Sequence, residues 1–363
     1  MAVGVGSAVA TAPEFELLLA VAAGVVDLLA VAFLVAVLVA LALVAVGVGE
    51  SVAVGVALAA QGALAQDWPS KSISLVVPFP AGGSNDVVAR LVGESVRKRL
   101  GQAVLVDNKP GANGSLGVET TLRTAKDQHT FLVASDSVSL LPLFRNMPWD
   151  LTKTFTPVSV LTFQPIVVVT APSSGLKTIQ DLQARAKGKP DQVSYASSGQ
   201  GSIQHLVGEL FAQNLGINLL HIPYKGGGQA VNDVISGQVN VAVLGAAAVL
   251  PHIKSGKLVA LAVSTKRRSA ILPDTPTLSE SGAGDIDVPQ WSALFAVEGT
   301  PAPVISQLRR AVDESLNDAA LKQQLLGLAM ETVAMTPDAF QQRMTQDRER
   351  WAKLIKDRKI AME

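Results

Sequence analysis

Cysteine is absent from all 363 residues of the chain. The protein therefore forms no disulfide bond, and it has no thiolate with which to bind a metal ion. The four histidines, at positions 129, 205, 221 and 252, do not have the spacing of metal ligands. We expect neither a metal ion nor another cofactor.

Lysine and arginine are absent from the first 70 residues, which are mostly alanine, valine, leucine and glycine. Within this segment, Leu28–Gly49 is an uncharged run of 22 residues, long enough to span a bilayer. A shorter apolar stretch ends in Ala63-Leu64-Ala65-Gln66, which matches the small-x-small pattern of a signal-peptidase site. The pattern predicts an export signal over residues 1–65, cleaved after Ala65, and hence an exported protein.

The missing basic residues leave an alternative open. Signal peptides begin with a basic region, and this segment has none. The alternative to a cleaved signal is a retained membrane anchor. After cleavage, the mature chain would have 30 basic and 26 acidic residues, a mild excess that suits an anionic ligand.

Several motifs of other functional classes are missing too. No cluster of lysine and arginine with interleaved aromatic residues indicates binding to nucleic acid. No glycine-rich loop ends in Gly-Lys-Ser/Thr, which excludes a nucleotide P-loop. The segment Asn113-Gly114-Ser115-Leu116-Gly117 lacks the first glycine of the G-x-S-x-G motif of serine hydrolases.

A serine hydrolase is nevertheless the enzymatic alternative. Ser198, His205 and an acid such as Asp136 would be its triad. His205 lies three residues after Ser202, at helical spacing, so we expect it to face solvent or the surface of a lobe. The chain has no nucleophile–base signature, and we therefore expect no enzymatic activity.

One stretch that is present organises the rest of the chain. An apolar strand pattern, Ile73–Val77, leads into the loop Pro80-Ala81-Gly82-Gly83-Ser84-Asn85-Asp86 and then into a helical pattern, Val87–Leu100. The first amides of a helix have no internal partner and lie at the positive end of the helix dipole. Such a loop binds a carboxylate as readily as a phosphate. The alternative is that Ser84, Asn85 or Asp86 only caps the helix.

The same arrangement recurs in the second half of the chain. A predicted strand, Val193–Ala196, leads into Ser197-Ser198-Gly199-Gln200-Gly201-Ser202 and then into another helix. Alternating strands and helices predict an α/β fold with a mostly parallel sheet in each of two lobes. We assign residues 67–166 and 289–363 to lobe 1 and residues 167–288 to lobe 2. Leu294–Val297 is expected to return to lobe 1, with the C-terminal helices as outer supports.

Two anion-binding loops, one in each half, suggest two lobes that close on one ligand. In α/β folds, ligands bind beyond the carboxyl ends of the strands. Each candidate serine has capping as its alternative role. We expect Asp86 to orient its loop, since it would repel an anionic ligand, and Gly226 to bound the cleft or simply to form a turn. The ligand-contact candidates are Ala81, Gly82, Gly83, Ser84, Ser135 and Ser137 in lobe 1 and Ser197, Ser198, Gly199 and Ser202 in lobe 2.

Five motifs, in order, make a family resemblance specific. The chain resembles the Bug-type solute receptors of tripartite tricarboxylate transporters over about residues 67–360. The motifs are Pro80-Ala81-Gly82-Gly83-Ser84-Asn85-Asp86, Asn108-Lys109-Pro110-Gly111-Ala112-Asn113-Gly114, Tyr195-Ala196-Ser197-Ser198-Gly199, His221-Ile222-Pro223-Tyr224-Lys225-Gly226 and Leu250-Pro251-His252-Ile253-Lys254-Ser255-Gly256-Lys257-Leu258.

The resemblance implies a monomeric periplasmic binding protein with a two-lobed, type II Venus-flytrap fold. It implies capture of a small carboxylated solute, largely by backbone amides, hydroxyls and water, and delivery to the subunits of a membrane permease. A ligand sensor for a signalling partner is the alternative role. The chain departs from the family at Pro-Ala-Gly-Gly, at Ser84-Asn85 and at Gly245-Ala246-Ala247-Ala248, where a more polar strand end is expected to line the cleft.

Overall fold

The structure is a computed structural model that describes residues 68–188 and 192–361. The predicted export signal, residues 1–65, lies outside the described residues. All the helices and strands given below belong to the unit formed by residues 71–363. Among the described residues, no helix is both long and apolar enough to cross a membrane.

Lobe 1 is built on a five-stranded sheet. Four of its strands run in one direction, and the fifth, which returns from lobe 2, runs antiparallel to both neighbours. In spatial order the strands are β2 (Val104–Asn108), β1 (Ile73–Val77), β3 (Thr130–Ser135), β10 (Gln290–Val297) and β4 (Phe155–Gln164).

Lobe 2 repeats this plan. Again four strands run in one direction, and the strand that arrives from the other lobe is antiparallel to both neighbours. In spatial order the strands are β7 (Leu220–Pro223), β6 (Ser194–Ser197), β8 (Val241–Gly245), β5 (Ile166–Thr170) and β9 (Val259–Val263). The predicted two-lobed α/β fold with mostly parallel sheets is therefore confirmed, as is the return of residues 294–297 to the first sheet.

Helices cover the sheets. In lobe 2, successive residues of β5 and β8 alternate between two separate apolar clusters, so both faces of this sheet are buried. Short 3₁₀ turns lie at Ala112–Gly114, Ala125–Asp127 and Pro172–Ser174. The helices are α1 (Ser84–Leu100), α2 (Ser115–Thr124), α3 (Asp136–Phe144), α4 (Leu151–Thr154), α5 (Ile179–Gly188), α6 (Ile203–Leu215), α7 (Gly227–Ile235), α8 (Ala246–Lys254), α9 (Ala302–Leu316), α10 (Ala319–Gly327) and α11 (Pro337–Arg358).

The last helix contributes to the cores of both lobes. Near the start of α11, Phe340 and Met344 pack into an apolar cluster of lobe 1. Two turns further on, Trp351 and Leu354 pack into an apolar cluster of lobe 2. The C-terminal helix is therefore more than the outer support that its sequence suggested, because it spans the two lobes.

Candidate functional site

A cavity of about 760 Å³ lies between the two lobes. Its walls are loops that follow the carboxyl ends of β1 and β2 in lobe 1 and of β6 and β7 in lobe 2, together with one face of α3. In α/β folds, ligands bind at this end of the parallel strands. The lining residues are Pro78, Phe79, Pro80, Pro110, Gly111, Ala112, Asn113, Gly114, Ser137, Leu141, Ser198, Gly199, Gln200, Gly201, Ser202, Pro223, Tyr224 and Lys225.

The loop after β1 leaves the start of α1 without a side-chain cap. Gly83 occupies the N-cap position, and no side chain accepts a hydrogen bond from the first turn. Ala81, Gly82 and Gly83 are exposed and follow Pro80, which lines the cavity, but none of the three is itself among the lining residues. In the described part of the chain, Ser84 and Asn85 therefore make no capping hydrogen bond, and the side-chain bond at this helix start is the one from Gly82 N–H, just before the N-cap, to Asp86.

Ser84 contributes to a second, smaller space beside the first strand-end loop. There it lies near Gln164, Gln290 and Ser292. The Ser292 hydroxyl is buried and has no hydrogen-bond partner among the described residues. Gly245 also lies next to these two glutamines, since a Cβ built on it would approach Gln290 Oε1 to 2.8 Å. Neither Ser84 nor Gly245 is among the residues that line the main cavity.

Asp86 fastens the loop from within. Its Oδ2 accepts hydrogen bonds from Gly82 N–H at 2.8 Å and from Arg90 Nε at 3.0 Å, and Arg90 also pairs with Oδ1 at 2.9 Å. Burial raises the pKa of the carboxyl, but these bonds more than offset it and hold the pKa of Asp86 below its usual value. The Asp86 carboxylate thus binds the backbone of its own loop and a side chain of α1, as expected for a residue that orients the loop.

The loop after β2 supplies much of the lobe 1 wall. Gly111, Ala112, Asn113 and Gly114 all have positive φ, so the chain makes a tight turn whose backbone faces the cavity. Sequence reasoning noted this segment as a family motif but proposed no contact residue in it. Its position at the end of the strand beside β1 was the available signal.

The candidate residues around β3 have different surroundings. Ser137 lines the cavity, whereas Ser135 is buried and Asp136 is 4% exposed. The Asp136 carboxylate accepts a hydrogen bond from Trp291 N–H at 3.0 Å, at the start of the strand that returns from lobe 2. Burial raises the pKa of Asp136 to about 7.

The loop after β6 forms the lobe 2 wall. Ser198, Gly199 and Ser202 line the cavity, whereas Ser197 is fully buried beneath them. Ser202 also caps α6, since its Oγ accepts a hydrogen bond from His205 N–H at 3.2 Å. Ser202 therefore has a capping role. Of the two serines that line the cavity in this loop, Ser198 is the one whose hydroxyl does not cap the helix.

The expected surface position of His205 is wrong. The side chain is 4% exposed, and its ring stacks on that of His221 with centroids 3.8 Å apart. Burial lowers the pKa of His205 to about 4, and burial with His205 beside it lowers the pKa of His221 to about 3. The polar side of α6 faces the sheet here because Tyr195 and His221, from two different strands, meet it.

The hydrolase triad does not form among the described residues. The Ser198 hydroxyl donates to Gln204 Oε1 at 2.9 Å, and His205 Nδ1 accepts from Gly201 N–H at 3.0 Å. Asp136 bonds to Trp291 N–H and to the Ser137 hydroxyl. Each member is thus hydrogen-bonded to a different partner.

Two further features bear on the ligand. Lys225 is exposed and is the only charged residue among those lining the cavity, and no ion pair holds it in the described part of the chain. Gly226, which follows it with φ of 113°, leads the chain into α7. Within residues 68–188 and 192–361, no group of three or more histidine, aspartate or glutamate side chains is placed to hold a metal ion.

Comparison with known proteins identifies the family. The model of the tripartite tricarboxylate transporter family receptor matches residues 88–360. The protein BugT of Bordetella pertussis is 36% identical over 296 residues, which cover 81% of this chain and 91% of BugT.

Solved structures agree with this family match. An R. palustris protein solved with adipate is 29% identical, with a TM-score of 0.73 over 81% of this chain and 99% of that one. MatC from Rhodopseudomonas palustris with bound malate is 27% identical, with a TM-score of 0.68 over 79% of this chain and 100% of MatC. The periplasmic binding protein BugD is 32% identical, with a TM-score of 0.69 over 82% of this chain and 100% of BugD. The chain therefore belongs to the receptor family of the tripartite tricarboxylate transporters, whose members are solute-binding proteins and not enzymes.

Proposed function

We propose that this protein captures a small carboxylated solute in the cavity between its lobes, in the periplasm, and delivers it to a tripartite permease. One observation carries the proposal: strand-end loops from both lobes meet around a single cavity of about 760 Å³. Backbone amides and hydroxyls of these loops then hold the acid group from opposite sides. The predicted export signal supports the periplasmic location.

The charge of the cavity supports an anionic solute. Among the described residues that line it, Lys225 is the only charged side chain, and the carboxylate in the loop after β1, Asp86, is paired with Arg90. Two structural relatives hold the dicarboxylates adipate and malate. Among the residues that line the cavity, a bound carboxylate would therefore meet one ammonium group and no acidic side chain.

The first experiment is a thermal-shift screen of the purified protein against dicarboxylates, tricarboxylates, amino acids and aromatic acids. A ligand that binds the folded protein raises its apparent stability by mass action. Calorimetry then gives the Kd of the tightest ligand. Delivery is tested by uptake of that ligand into cells with and without the receptor.

Substitution of Gly83 tests where the ligand binds. Gly83 has φ of −75°, and a Cβ there would lie 3.4 Å from the Pro80 carbonyl oxygen, so a side chain fits with little strain. Gly83→Asp places a carboxylate at the N-cap, where it favours the helix and repels an anionic ligand. Gly83→Asn is the matched neutral control. We expect the aspartate to weaken binding by about tenfold or more and the asparagine to weaken it less. Equal affinity in all three proteins would refute this site.

A further inference from the structure

Two stacked histidines lie directly beneath the lobe 2 loop. The rings of His205 and His221 are 3.8 Å apart and within 6° of parallel. His205 Nδ1 accepts a hydrogen bond from Gly201 N–H at 3.0 Å, and His221 Nε2 lies 2.7 Å from Ser197 Oγ. Each ring thus holds one end of the loop through a single nitrogen.

The loop needs such support. Gly199 and Gly201 have φ of 145° and 71°, and glycine at positive φ leaves a segment with many alternative conformations. The backbone amide of Gly201 is only a donor, so His205 Nδ1 holds it only while that nitrogen carries no proton. A loop that is fixed before binding loses less conformational freedom when the ligand arrives.

The pair is itself held rigidly. The Tyr195 ring packs against His221 with centroids 4.9 Å apart, and its hydroxyl donates to Glu209 at 2.8 Å. Glu209 in turn accepts from Arg358 at 2.8 Å, near the end of α11. The histidines therefore lie against a hydrogen-bonded chain of side chains, Tyr195 from β6, Glu209 from α6 and Arg358 from α11.

We infer that His205 is a positioning residue for ligand binding, because its Nδ1 fixes the Gly201 amide and so sets the orientation of residues 198–202. The inference rests on the proposed function, in which this loop contacts the acid group of the solute. His205 does not line the cavity, so its effect on affinity acts through the loop alone.

Three substitutions separate the hydrogen bond from the ring. His205→Asn keeps an acceptor, Oδ1, near the place of Nδ1; His205→Phe keeps the ring and loses the acceptor; His205→Ala loses both without adding bulk. Hydrogen exchange of the peptide containing residues 198–202 reports on the loop with no ligand present. Calorimetry with adipate, malate and the tightest carboxylate of the screen reports on binding. His252→Phe, far along the chain in α8, is the matched control.

We expect loop exchange to be about tenfold faster in His205→Phe and His205→Ala, with a loss of affinity of similar size, as for one lost hydrogen bond. His205→Asn should stay close to the wild type in both measurements. Unchanged exchange in both acceptor-free variants would overturn the inference, as would faster exchange with unchanged affinity. If the wild type binds no carboxylate, the proposed function fails, and the exchange result alone decides whether His205 holds the loop.

Discussion

Replacement of Asp136 by asparagine should change the pH dependence of stability. The carboxyl is 4% exposed at the start of α3, accepts Trp291 N–H at 3.0 Å, and lies close enough to Asp347 to feel its charge. Burial, and then the charge of Asp347, raise its pKa from 3.8 to about 7. The folded protein therefore binds a proton at this site under conditions where the unfolded chain has lost it.

The sign and size follow from proton linkage. Between the two pKa values the folded state holds more protons, so the free energy of unfolding falls as pH rises. Each pH unit in that interval costs about 1.4 kcal/mol. Because the carboxyl is partly ionised near its folded pKa, the free energy of unfolding falls by about 2 kcal/mol between pH 5 and pH 7. It changes little above pH 7.

Asp136→Asn keeps an oxygen to accept the Trp291 amide proton but cannot ionise. Urea unfolding of both proteins, followed by tryptophan fluorescence at pH 5, 6, 7 and 8, gives the difference in free energy of unfolding. We expect this difference to shift in favour of the variant by about 2 kcal/mol between pH 5 and pH 7. Asp274→Asn makes the same chemical change at an exposed position and serves as the control. A difference that stays constant with pH would refute the reasoning.

Three further predictions concern packing around the loops. A Cβ at Gly208 would lie 2.3 Å from the buried Tyr195 ring. Gly208→Ala should therefore lower the free energy of unfolding in urea by about 1–3 kcal/mol. A change below about 0.5 kcal/mol would contradict this packing. Arg358→Met should lower the free energy of unfolding by about 2 kcal/mol, because it leaves Glu209 buried without its cation. Adding Glu209→Gln should recover part of that loss in thermal unfolding. Losses that simply add would argue against the ion pair. A Cβ at Gly117 would lie 2.6 Å from Pro78, which lines the cavity. Gly117→Ala should therefore reduce both the stability and the ligand affinity of the protein. An unchanged Kd in calorimetry would count against this contact.

Apolar patterns predicted the sheets well because they depend on local sequence. Ile166–Thr170 and Val241–Gly245 are continuous apolar runs, which is typical of strands covered on both faces. Element ends were less predictable. The first helix begins at Ser84, three residues before the first apolar position of its pattern, because a helix start is set by backbone geometry as well as by apolar spacing. The apolar stretch Val158–Leu161 predicts a short strand, but β4 extends over Phe155–Gln164, along its pairing with β10.

The candidate site was predictable only in part. Of the residues proposed from strand-end position, Ser137, Ser198, Gly199 and Ser202 line one cavity, and their contact with a ligand stays a prediction. Residues 110–114 also follow a strand, but their place at the same cavity depends in addition on β2 lying beside β1, an order that the sequence pattern does not give. Helical spacing predicted His205 at the surface. In the structure it packs against Tyr195 of β6 and His221 of β7, which are brought together by strand pairing. Local periodicity carries no information about such partners.

The two loops are fastened by different chemistry with one shared consequence. In lobe 1 the fastening group is the Asp86–Arg90 pair, whose charges cancel, and in lobe 2 it is a pair of histidines with lowered pKa values, neutral near pH 7. Neither arrangement adds net charge beside the amides that face the cavity. Under the proposed function, affinity therefore comes from backbone dipoles and hydroxyls whose positions are set by side chains outside the cavity. Substitutions beneath the cavity should then change affinity without touching the solute, which a site built on an arginine clamp would not show.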